Sequence, residues 1–310
     1  MVMLTEVKDS SYERVLVTGL SGAGKTTLVS KLAEKFNLIW LDVESGKSTL
    51  FKLPREWQER INLISIPDSA SYPIAADTII ELFRKEKANI CAAHGKHDCA
   101  LCKKSGAAID TIDFAKMDKA NTIVVVDTVT QVSHSILAHL MRGRDVTAKP
   151  ERDDWGGLRK HTEALASQWQ AANYHLVCIA HLIEATLEDG KVKLVPNFGS
   201  MGMSAEFAKF FSHVVYVDVV NKKHKAFSSS TYSNSVLTKS RTDFRIEDLA
   251  EPSLLPLFAA NRPIVTSAAN TETETETETE QVVKAEEKSQ GAVAVDKLAA
   301  LRAKMSANKS

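Results

Sequence analysis

The stretch from Gly19 to Thr27, GLSGAGKTT, gathers three glycines, one lysine and two threonines directly after the apolar run RVLVT. A helical pattern, TTLVSKLAEKF, follows at once. Glycine inside a helix or strand costs about 0.5–1 kcal/mol, so a bound group is expected to offset so many of them. Gly19, Gly24, Lys25 and Thr26 have the spacing GxxxxGK[ST] between a strand pattern and a helix pattern, as a phosphate-binding loop requires. Glycines let successive backbone N–H groups turn toward phosphate oxygens, and the helix start adds its positive end. The expected cradle is Gly19, Ser21, Gly22, Ala23, Gly24, Lys25, Thr26 and Thr27. Lys25 would neutralise the β- and γ-phosphates of a nucleoside triphosphate, and the Thr26 hydroxyl would ligate Mg²⁺. A second ligand for that cation is expected at Asp127, which ends the apolar run TIVVVDT. Thr128, next along, is placed to help position water. The competing readings are a glycine-rich turn with a chance lysine and an ordinary acid at a strand end.

A second constellation is CAAHGKHDCALC, from Cys91 to Cys102. Cys91-x2-His94 and Cys99-x2-Cys102 supply three thiolates and one imidazole, the donor set of a closed tetrahedral zinc site. His97 is the alternative fourth ligand. A redox Cys-x-x-Cys pair or unligated cysteines are the rivals, but a redox pair leaves Cys91 and the histidines without a role. The site is expected to be structural. Cys178 falls within an apolar run and is expected in the core.

These residues need a scaffold. RVLVTGL, NLIWLDV, INLISIP, TIVVVDT, HLVCIAH and HVVYVDVV read as strands, several of them apolar at successive positions. That pattern marks strands buried on both faces, hence a parallel sheet covered by helices. Helical periodicity lies between them, in AADTIIELFRKEK, VSHSILAHLMR, GLRKHTEALASQWQAA and SAEFAKFFS, so the fold class is α/β, doubly wound. KAFSSSTYS and SVLTKSRTD are expected as antiparallel strands at one edge. The main domain is expected over 1–265, with the zinc insertion at about 88–106. An acidic linker over 266–291, containing TETETETETE, lacks large apolar side chains and cannot build a core. Residues 292–310 form a tail in which Val295, Leu298, Leu301 and Met305 lie near one face of a short helix, either frayed or docked on a protein partner.

Lys+Arg and Asp+Glu both number 39 in 310 residues, for a formal net charge of zero. That excludes a protein held on polyanions by overall charge and leaves room for a local basic groove. No apolar run approaches the roughly 20 residues needed to span a bilayer, and MVMLTEVKDSSYERV lacks the features of a signal peptide. The expectation is a soluble cytoplasmic protein with no membrane partner.

In order, the strand–GLSGAGKTT–helix unit, LIWLDVES, TIVVVDTVTQV, HLVCIAHLIEA and LTKSRTD resemble the RecA-like P-loop ATPases over roughly residues 13–245. In particular they resemble phage-encoded AAA domain proteins of the single-strand annealing type, for which the site would be the host bacterial cytoplasm. The resemblance implies ATP and Mg²⁺ as cofactors. It implies that Glu44 orients the attacking water, with Asp42 on the same face of the strand. It places His181 where RecA carries a glutamine that senses the γ-phosphate. Lys239 and Arg241 match the KxR element that reaches a neighbouring subunit's nucleotide, which implies a homo-oligomer, ring or filament. Bland readings remain for each: a solvated loop acid for Glu44, a satisfied strand-end histidine for His181, and a solvated basic strand end for Lys239 and Arg241. The resemblance also implies two mobile loops for single-stranded DNA. The first is MRGRDVTAKPERDDWGGLRK, with Arg142, Arg144, Lys149, Arg152, Arg159, Lys160 and Trp155. The second is EATLEDGKVKLVPNFGSMGMS, with Lys191, Lys193 and Phe198. Rival functions on the same core are a replicative helicase, a nucleotide-gated DNA-binding protein with little turnover, and a small-molecule kinase.

Overall fold

In a computed structural model, the residues described are 12–69, 72–145, 147–186, 190, 192–229 and 236–259. The expected linker and tail lie outside them. The described residues belong to one compact unit, Met1–Ser230 with Asn234–Pro263. A second unit, Thr231–Ser233 with Ile264–Ser310, lies outside the described residues.

Eleven strands and eight α-helices are described: β1 (Arg14–Gly19), α1 (Lys25–Ser30), β2 (Asn37–Asp42), α2 (Arg55–Gln58), β3 (Ile61–Ser65), α3 (Ile74–Lys85), β4 (Lys87–Cys91), α4 (Ala100–Ser105), β5 (Ile109–Asp113), β6 (Thr122–Asp127), α5 (Val129–Leu140), α6 (Arg152–Ala171), β7 (His175–Ala180), β8 (Leu182–Thr186), β9 (Val192–Pro196), α7 (Met201–Glu206), β10 (His213–Val220), β11 (Lys223–Phe227) and α8 (Leu255–Ala259). Seven strands form the central sheet in the order β11-β10-β1-β7-β6-β2-β3. Every neighbouring pair is parallel except β10 with β11.

Successive apolar residues are buried on both faces, as the sequence pattern predicts. Leu16 packs into a core with α3, α5 and α6, while Val15 and Val17 pack into another with α1, Phe36 and α8. All three are fully buried. Trp169 of α6 anchors the first core, with its ring near Phe83, Phe198 and Phe207. The helical pattern after the phosphate-loop stretch is α-helical only through Ser30 and tightens to a 3₁₀ turn over Lys31–Glu34.

One expectation about strands needs correction, that of a strand in SVLTKSRTD. KAF does lie in β11, but 236–239 forms only isolated bridges, Val236 to Leu194 and Lys239 to Val214. Residues 230–235 lie outside the described set.

The cysteine-rich segment sits on a two-stranded antiparallel hairpin, β4 with β5, and α4 lies between the strands. It docks on the end of β3 through Gly95, φ 65°. A Cβ there would stand 2.7 Å from the Cα of Ile66, closer than real Cβ atoms come. The Thr78 hydroxyl donates to the Gly95 carbonyl (3.0 Å) and accepts from the His97 N–H (3.1 Å), which fastens the segment to α3. Among the described residues, no helix is long and apolar enough to cross a membrane.

Candidate active site

The parallel register brings the ends of four strands to one edge of the sheet. Gly19 of β1 pairs with Val217, Asp42 of β2 lies opposite Asp127 of β6, and Asp127 lies opposite Ile179 of β7. In an open α/β sheet, ligands bind beyond these carboxyl ends, where strand order reverses. The GLSGAGKTT stretch follows β1 at that edge, with Gly22 and Gly24 at φ 76° and 98°. L-residues with a side chain rarely adopt these angles, which explains glycine at both.

Lys25 is buried, and its Nζ donates to the carbonyls of Gly19 (3.0 Å) and Leu20 (2.9 Å). Burial lowers its pKa, while Asp127 and Glu44 act to raise it. The Thr26 hydroxyl donates to Asp127 Oδ2 at 3.2 Å. Thr26 and Asp127 could therefore share one Mg²⁺ ion, an oxygen-seeking cation that accepts a hydroxyl and a carboxylate. Burial pushes Asp127 up to about 7, and the neighbouring charge of Asp42 adds to the shift. The peptide between Asp127 and Thr128 is cis.

Asp42 and Glu44 do not lie on one strand, contrary to expectation. β2 ends at Asp42, which is buried and accepts from the Gly46 N–H at 2.9 Å. Beyond it the backbone leaves the strand: the Val43 and Glu44 N–H groups donate to the Asp127 carbonyl at 2.7 and 3.3 Å. Glu44 emerges exposed on the ligand side, where its carboxylate meets His181 Nε2 at 3.0 and 3.1 Å. His181 Nδ1 stands 3.5 Å from Lys25 Nζ. An ammonium only donates and a carboxylate only accepts, so both contacts suit a neutral imidazole with its proton on Nε2. The His181 hydrogen bond holds the Glu44 carboxyl below the usual range, against an opposing burial effect. Sequence reading missed Thr130, whose hydroxyl accepts from the His181 N–H and donates to the Asn197 carbonyl, both at 2.9 Å. It pins the histidine's backbone to α5, and a threonine in an apolar helix carries no sequence signal of that task.

Lys239 is turned inward in its own chain. Its Nζ donates to the carbonyls of Phe211 (2.7 Å) and Ala208 (3.3 Å), whereas Arg241 is exposed.

The two expected DNA loops are more ordered than their composition suggests. The first ends early because α6 begins at Arg152, started by a reciprocal capping pair between Glu151 and Asp154. Arg159 and Lys160 are therefore helical, and Arg144 is held by Asp154 through two hydrogen bonds of 2.6 and 2.9 Å. Trp155 stays 44% exposed on the first turn. The second is a hairpin of β8 with β9, and Phe198 is fully buried against Trp169 and Phe207. It cannot stack on a base. Lys193 lies on β9, while Lys191 lies outside the described residues.

Away from this edge, the ligand atoms of Cys91, His94, Cys99 and Cys102 all lie within 4.8 Å of one another. His94 Nδ1 faces the three sulfurs at 3.6, 3.7 and 3.2 Å for Cys91, Cys99 and Cys102. The three cysteines are buried, and a backbone hydrogen bond from Cys102 helps bring Cys99 down to about 7. Three sulfurs and a nitrogen at this separation fit zinc. His97 points elsewhere, with Nε2 at 3.2 Å from Asp98 and 3.9 Å from Glu81.

No curated protein matches the chain. Among solved structures, a prototypical ATPase from the type III secretion system of pathogenic bacteria is 16% identical, with a TM-score of 0.37 over 66% of this chain and 52% of that one. This chain thus spans about half the length of that ATPase. A KaiC-like protein from the archaeon Pyrococcus horikoshii OT3 is 14% identical, with a TM-score of 0.32 over 69% of this chain and 76% of that one. Residues 11–242 match the family described as AAA domain, and because that match takes in most of the chain, the chain belongs to the AAA domain family.

Proposed function

We propose that the chain is a Mg²⁺-dependent ATPase that assembles with copies of itself on single-stranded DNA and promotes annealing or recombination, as phage-encoded AAA domain proteins of that type do. The observation that carries the ATPase reading is the meeting of the Thr26 hydroxyl with Asp127, beside Lys25 and across from Glu44. Bound MgATP supplies the phosphoanhydride to be cleaved and a cation that neutralises its charge. The backbone of residues 19–27 binds the phosphates, and Lys25 exchanges its two carbonyl partners for them. Thr26 and Asp127 hold the cation. Glu44, kept ionised by His181, orients water and accepts its proton. His181 lies between base and lysine, where a γ-phosphate would compete for both.

The order of motifs along the chain and the exposed Trp155 support the polymer, since a ring left open on the first turn of α6 can stack on a base. Arg241 is the cation available to a neighbouring copy, and Lys239 braces the backbone that presents it. A structural zinc ion on Cys91, His94, Cys99 and Cys102 would tie the β4–β5 insertion together.

Turnover of ATP, measured with and without a single-stranded oligonucleotide and alongside particle size, tests this reading. We expect stimulation by the oligonucleotide and larger particles with ATP. Lys25→Ala should abolish turnover; an undiminished rate in that variant would remove the loop from the chemistry. Stimulation by a small phosphate acceptor instead of DNA would favour a kinase.

A further inference from the structure

The β10–β11 hairpin is not part of the phosphate-loop motif, yet it touches the loop. Asp218, Val219 and Val220 carry β10 beyond Val217, the partner of Gly19, and the chain reverses through Asn221 and Lys222, at φ 53° and 62°. The antiparallel ladder then sets His224 opposite Val219, past the end of β1. There its Nδ1 lies 2.8 Å from the carbonyl oxygen of Ala23. A carbonyl can only accept, so Nδ1 carries the proton. The fit is close on the next residue too. A Cβ on Gly24 would stand 2.8 Å from the same nitrogen.

The consequence follows from peptide geometry. In a trans peptide the C=O and the N–H of the following residue point in opposite directions. Holding the Ala23 oxygen on the hairpin turns the Gly24 N–H to the other side of the loop. That N–H makes no hydrogen bond among the described residues. We propose that His224 is a positioning residue of the nucleotide site: it fixes the Ala23–Gly24 peptide so that the Gly24 N–H faces the phosphates of bound ATP. This rests on the ATP-binding reading of the loop. Lys222, Lys223 and Lys225, exposed on the same hairpin and without an ion partner among the described residues, add positive potential beside a site for a polyanion.

The test compares His224→Phe, which keeps a ring without a donor, with His224→Asn, whose amide nitrogen falls near the place of Nδ1. Affinity for MgATP is read by calorimetry, and KM and kcat by turnover. We expect His224→Phe to weaken MgATP binding and raise KM by about three- to tenfold, the worth of one hydrogen bond, with kcat little changed. His224→Asn should restore both values toward wild type. His224→Gln, which carries its amide one bond further out, serves as a second loss variant if the phenylalanine disturbs the edge strand. MgATP binding in His224→Phe and His224→Gln equal to wild type would overturn the proposal. So would His224→Asn as weak as the loss variants. If wild-type protein fails to bind MgATP, the reading of the loop falls and this inference with it; if wild type binds and Lys25→Ala does not, a null result at His224 strikes this inference alone.

Discussion

Glu44 and His181 show how two side chains can set each other's chemistry. The imidazole Nε2 meets both carboxylate oxygens, and this contact is the largest cause of the lowered Glu44 pKa. A base must be ionised to work, so under the proposed mechanism the acid limb of kcat/KM against pH is expected to report Glu44. Removing the imidazole raises the Glu44 pKa, and the acid limb of His181→Ala should move to higher pH than in wild type. Glu44→Gln should lower kcat by about 10²–10⁴, the usual worth of a general base, while MgATP still binds. An acid limb at the same pH in both proteins would separate His181 from the base. The candidacy of Glu44 was legible because an acid follows the second strand. Its divergence from Asp42 was not, because it depends on the strand stopping one residue after Leu41, where the backbone turns to bond with the Asp127 carbonyl.

Elements bring their own titration. His175 opens β7 almost fully buried, edge-on to Tyr12, Phe36 and Phe258, and its Nδ1 accepts the Glu13 N–H at 3.0 Å. Burial lowers its pKa from 6.5 to about 4. Above pH 6.5 neither the folded nor the unfolded chain protonates it. As pH falls from 6.5 toward 4 the unfolded chain takes up the proton and the folded chain does not, so stability drops over that window, by about 3 kcal/mol. His175→Asn keeps an acceptor near Nδ1 and cannot titrate. Its melting temperature should fall less steeply between pH 6.5 and 4 than that of wild type; parallel curves would show that His175 does not drive the loss. The strands themselves were readable because residues such as Val15, Leu16 and Val17 are apolar in succession, the mark of a sheet covered twice. The start of α6 was readable in principle from Glu151 and Asp154, whose capping pair hides inside a charged stretch that looks like loop. Phe198 and His224 were not readable, since one is set by contacts with distant α6 and the other by how far a hairpin overshoots its neighbour.

The whole molecule combines an AAA domain core and an inserted cysteine-rich hairpin. The core's edge chemistry lies on β1, β2, β6 and β7, whereas the insertion grips β3 and α3. Purified protein is expected to carry one zinc ion per chain by elemental analysis. His94→Ala should lose it and His97→Ala should keep it, because only His94 faces all three sulfurs. Retention of zinc in His94→Ala would reassign the fourth ligand. Chelation should lower the melting temperature, as metal binding and folding are linked.

Gly95 gives the insertion a consequence for transfer between proteins. Its seat leaves no clearance for even a methyl group against the backbone at Ile66. The cysteine hairpin is thus no interchangeable plug: moved into a different host, it would need the matching stretch of main chain and the Thr78 hydroxyl brought along, or it would hang loose however well its sulfurs were filled.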